Sequence, residues 1–114
     1  MSELMPGRAF QLWEYHVSHG SLLIRSPAGP DFKTSVDIIF VGVVYLAAPR
    51  HLGEIAIAEA TIPEIERMEV TLGRKLHQER VWVLQGANQR SIVVALAPTI
   101  REHMGDIFDS PFSE

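Results

Sequence analysis

The residues best suited to chemistry are the histidines, five of them in 114 residues, and His16 and His19 are the closest pair. Imidazole nitrogens ligate metals and exchange protons near neutral pH. An offset of three along a continuous strand sends the two rings to opposite faces, so a shared ion would need a bulge or a turn to re-aim His19. The spacing therefore predicts no metal site, and His16 and His19 stand as candidates for ligand binding. Arg50 and His51, two residues before Gly53, form a second candidate. A guanidinium in a loop beside free backbone N–H groups suits a carboxylate or phosphate.

Asp37 lies in an otherwise apolar run, where an isolated carboxylate is costly. It calls for a cation such as Arg25 or Lys33, or for a place at an exposed rim, and not for a catalytic role. The chain has no cysteine, no Gly-x-Ser-x-Gly and no glycine-rich phosphate loop. Thiol chemistry, a nucleophile elbow and a nucleotide site are therefore unsupported. No catalytic residue and no cofactor is expected. Trp13, Trp82, Tyr15 and Tyr45 fall on strand-like segments, where aromatic rings ordinarily belong to a core.

Charge narrows the partners. The formal net charge is −4 and the pI is near 5.7, against the basic surplus that a phosphate backbone needs. Arg67, Arg74, Lys75 and Arg80 are interleaved with Glu66, Glu69 and Glu79, which makes a mixed-charge surface rather than a nucleic-acid footprint. Glu3 and Pro6-Gly7 do not read as a secretion signal. The most apolar stretch, Ile38 to Ala48, is shorter than the roughly 20 residues of a membrane span. A cytoplasmic protein with no nucleic-acid or membrane partner is the expectation.

The elements that must position these residues follow from periodicity. Phe10–Val17 and Leu22–Arg25 read as a hairpin closed around Gly20, and Pro27, Gly29 and Pro30 break the chain after it. Val36–Leu46 is apolar on both parities and reads as one doubly buried strand. Glu54–Ala60 is a weaker strand. Thr61 and Glu64 form a capping box ahead of Ile65, Met68 and Leu72, which predicts a helix over about 63–72, ended by Gly73 or running on through Leu76. Val81–Gln85 and Ser91–Ala97 form a second hairpin. Ile100, Met104, Ile107 and Phe108 share a helical face, predicting a short C-terminal helix or tail.

Together these predict a single α+β domain over 1–114, with flexible ends at 1–8 and 110–114. Its sheet is mostly antiparallel, or an open barrel, of about six strands with one main helix. Several strands are apolar on both faces, and one helix covers only part of one face. Self-association or another protein partner is therefore expected to cover the rest. This favours a non-enzymatic binding or interaction domain working through an apolar sheet face or loop rim. A small enzyme or ligand-binding protein with a site near His16, Arg50 and His51 is the alternative.

Overall fold

In a computed structural model that describes residues 3, 4, 7–104 and 110–112, the described residues form ten strands and one α-helix. The elements are β1 (Glu3–Leu4), β2 (Phe10–His16), β3 (Ser21–Ser26), β4 (Ser35–Phe40), β5 (Tyr45–Ala47), β6 (His51–Gly53), β7 (Ala56–Glu59), α1 (Ile62–Leu72), β8 (Arg80–Gln85), β9 (Arg90–Ala95) and β10 (Thr99–His103). They make two antiparallel sheets of five strands each, ordered β1-β7-β8-β9-β5 and β10-β4-β3-β2-β6. The α+β class and antiparallel pairing stand, but a single six-stranded sheet or barrel gives way to two open sheets.

The two sheets share one core. Phe10, Leu22, Ile24, Val36, Ile38 and Phe40 from the β3 sheet meet Ile57, Leu84, Val93 and Ala95 from the β8 sheet. Period-two alternation puts a second set of buried strand residues on the outer faces. On the β8 sheet these are Val81, Val83 and Val94. Arg90, of the same parity as Val94, pairs with Glu64 and so ties α1 to that side. The second apolar face thus meets the helix and the first meets the opposite sheet, which accounts within one chain for most of the two-faced strand pattern.

Gly42 explains why the run 36–46 is not one strand. It takes the left-handed backbone region at φ 65°, which a residue with a Cβ reaches only at a cost. A Cβ there would lie 3.3 Å from Leu96. The chain leaves the β3 sheet at Phe40, and the Val44 N–H then donates to Val94 O at 2.9 Å, entering the β8 sheet as β5. The connection expected around 50–53 contains β6, which adds to the edge of β2.

The helix is where the capping signal places it. Thr61 accepts from the Glu64 backbone N–H while the Glu64 carboxylate accepts from the Thr61 N–H, and Gly73 closes the last turn at φ 74°. No helix among the described residues is long and apolar enough to cross a membrane.

The predicted C-terminal helix is corrected. Residues 99–103 form β10, an antiparallel neighbour of β4 from Thr99↔Ile39 to His103↔Ser35. Pairing along β4 and the burial of Ile100 against the core outweigh the weak helical spacing; Ile107 and Phe108 lie outside the described residues. Near the other end, Arg8 is buried, donates to Ser26 O at 3.4 Å and Thr34 Oγ1 at 3.1 Å, and stacks 4.1 Å over Phe32.

Candidate functional site

The densest polar chemistry lies on the outer face of the β3 sheet. Antiparallel register sets Arg25 beside Gln11 on one side and Asp37 on the other, and sets Arg101 beside Asp37. Asp37 Oδ1 accepts from Arg25 Nε at 2.7 Å and Oδ2 accepts from Arg25 Nη2 at 3.1 Å. Oδ2 also meets Arg101 Nε at 3.1 Å and His103 Nε2 at 3.0 Å. Arg25 and Asp37 are fully buried, and the Trp13 ring lies 5.3 Å from the Arg25 guanidinium.

Burial pushes the Asp37 carboxyl up, but hydrogen bonds from Arg25 and Arg101 outweigh it and leave the group below its ordinary value. A carboxylate held by two guanidinium groups is a poor proton acceptor. The expected Asp37–Arg25 pair is present.

A bulge in β2 between Leu12 and Glu14 keeps Glu14 on this same face, opposite Leu23. The Glu14 carboxylate meets His16 Nε2. That hydrogen bond, more than any other contact, holds the Glu14 carboxyl low, and Ser110 adds to it. The Phe112 ring stands edge-on to His16, 5.4 Å between centroids, so residues 110–112 lie against this end of the sheet.

A different chemistry occupies one end of the sandwich. Val17–His19 form a single 3-10 turn closed by Gly20 at φ 61°. Gly20 O accepts from Val43 N at 2.9 Å, and Val41 O accepts from Leu96 N at 3.1 Å. Three connections are thereby laced into one surface that exposes Val17, Val41, Val44 and Leu96, with Tyr15 alongside. Val17 is 76% exposed. The segments 17–20, 41–44 and 96–97 contain no Asp, Glu, Lys or Arg.

The four sequence candidates do not converge. His16 sits with Glu14 and Phe112, and His19 is exposed in the turn. Arg50 and His51 are exposed at the other end of β2, where Arg50 O accepts from Leu12 N at 2.8 Å and His51 pairs with Gln11. The five residue steps from Gln11 to His16 span on the order of 16 Å. Sequence reasoning did not find Arg101 and His103 as partners of Asp37. The available signal was the alternation Thr99, Arg101, His103 against Ile100, a strand period. It also did not assemble the apolar rim, whose parts lie in three separate connections.

Comparison with protein-family models, curated proteins and solved structures returns no match.

Proposed function

We propose that this chain is a non-enzymatic interaction module, acting in the cytoplasm, which associates with a second copy of itself through the loop rim formed by Val17, Val41, Val44 and Leu96. The rim itself carries this reading: apolar side chains are exposed on loops that backbone hydrogen bonds hold in place. Burying them is favourable, and pre-set loops lose little entropy on contact. The uncharged rim offers nothing to a charged partner, whereas two copies meeting there avoid the like-charge repulsion of a chain with net charge −4. The same net charge favours a protein partner over a phosphate backbone.

Such a patch, on the order of 300 Å² per copy, is well under the roughly 800 Å² per partner of a stable interface, so the association is transient. Sedimentation velocity from about 10 μM to about 1 mM tests it, since weak pairs form only in that range. A rise in mean mass with concentration is expected, lost in Val17→Asp and Val44→Asp variants that melt like the parent. A mass that stays monomeric throughout overturns the proposal. The alternative ligand site at His16, Arg50 and His51 has no shared geometry to support it, because these residues lie at opposite ends of β2.

A further inference from the structure

The β5 edge lacks the charged residues that mark the other sheet edges. Among the described residues, β1, β5, β6 and β10 end the two sheets. A sheet edge offers unpaired amides and carbonyls to any passing strand, and charged side chains ordinarily deter that pairing. β1 carries Glu3, β6 lies between Arg50 and Glu54, and β10 carries Arg101 and Glu102. By contrast, residues 38–49, which include β5, contain no Asp, Glu, Lys, Arg or His. β5 pairs with β9 on one side, and no described residue hydrogen-bonds to its backbone along the other. It continues directly from Val44 of the loop rim, whose N–H donates to Val94 O.

We infer that β5 pairs antiparallel with β5 of a second copy, about a two-fold axis at Leu46, so that the β8 sheet of one molecule runs on into that of the other. This rests on the self-association proposed above and gives it a register. The edge is complementary to itself. A two-fold at Leu46 sets Tyr45 opposite Ala47 of the other copy and Val44 opposite Ala48, so each rim meets the far end of the other copy's β5. Tyr45 and Ala47 share one face of the sheet, since they stand beside Val94 and Ile92. Ala47 is exposed and Tyr45 half-buried, so each ring meets a methyl group rather than a second ring or a charge. The same operation on β10 sets Arg101 against Arg101, and like charges directly opposed are destabilising. β5 has only three residues and is soon followed by Pro49, which has no N–H to donate. The pairing is therefore weak, and its two-fold symmetry closes it at two copies.

The absence of cysteine from the chain permits a direct test of the register. In this pairing residue 45 of one copy and residue 47 of the other lie about 5 Å apart between Cα atoms, within disulfide range. Two residues 45, or two residues 47, lie diagonally at about 7–8 Å, beyond that range. Tyr45→Cys and Ala47→Cys proteins, mixed at about 1 mM with oxidised glutathione, are expected to form a disulfide dimer about tenfold faster than either alone. Equal rates in the mixture and in the separate variants overturn the inference. The unaltered protein supplies a check that does not depend on how the variants fold. Its backbone amide resonances, followed from about 50 μM to about 1 mM, are expected to shift with concentration at residues 44–48. Shifts confined to residues 17–20, 41–43 and 96–97, with 45–48 fixed, overturn the β5 pairing and leave association through the rim standing. No concentration dependence in either the spectra or the sedimentation overturns both.

Discussion

Replacing Asp37 with asparagine keeps the shape of the side chain and removes the charge on which Arg25, Arg101 and His103 converge. Arg25 is fully buried, so the variant leaves a guanidinium in the interior without the Asp37 carboxylate. Breaking a buried pair on one side costs about 3–5 kcal/mol. Domains of this size are stable by only about 5–15 kcal/mol, so the loss is a large fraction of the whole. Urea denaturation reads it as a midpoint lower by roughly 2 M at an unchanged slope. The double variant Arg25→Met/Asp37→Leu removes both charges and is expected within about 1–2 kcal/mol of the parent, because an apolar pair of similar size avoids the cost of stripping water from the ions.

Acid supplies a second reading of the same pair. The Asp37 carboxyl is lowered from 3.8 in the folded chain, so its stabilisation is complete above that value and is lost as pH falls through the lower folded value. Asp37→Asn should lack this component of the acid transition. A cost below about 1 kcal/mol for Asp37→Asn, or a double variant no more stable than the worse single one, would refute the reasoning that a buried cation loses its carboxylate.

Four further outcomes can be measured on the same protein. The Glu64 carboxyl is drawn down to about 2, chiefly by hydrogen bonds from Arg90; carbon NMR should show that midpoint, and stability from this contact should be full above 4.5 and fade as pH falls towards 2, whereas an ordinary midpoint refutes the pairing. Thr61→Ala, which removes the cap of α1, should cost about 0.5–2 kcal/mol in thermal or urea unfolding. Gly20→Ala should cost about 1–3 kcal/mol, because Gly20 has φ 61° and a Cβ would stand 3.0 Å from Val43 N and O. Among the described residues, Ser91 Oγ is the one buried side-chain polar atom without a hydrogen-bond partner, so Ser91→Ala should leave the melting point unchanged or raise it by several degrees; a large drop would reveal an acceptor for that hydroxyl.

The elements with local signals were legible. Gly20, Gly73 and the Thr61–Glu64 box mark chain reversals and caps through backbone geometry that few other residues satisfy, and the hairpins and helix stand close to where they were read. The Arg25–Asp37 pair was legible because a carboxylate in an apolar strand has few physical options. What escaped depends on contacts distant in sequence. Gly42 looked like a tolerated glycine in a strand, and only the proximity of Gly20 and Leu96 makes it a crossing point between sheets. Residues 99–103 fit a helical stripe and a strand alternation equally, and the partner that decides, β4, lies more than fifty residues earlier. The candidate loop Arg50-His51 was read as free of structure, whereas its carbonyls serve the edge of β2 and the side chain of Gln89.

The strand order has a consequence for synthesis. In the β3 sheet, β4 lies between β3, made shortly before it, and β10, which comes much later in the sequence. Until Thr99–His103 has left the ribosome, the outer edge of β4 presents unpaired amides and carbonyls, a template for adventitious strand pairing. During that interval Asp37 has Arg25 but neither Arg101 nor His103. The nascent chain is thus most prone to aggregate in the interval after β4 is made and before the strand that seals this edge.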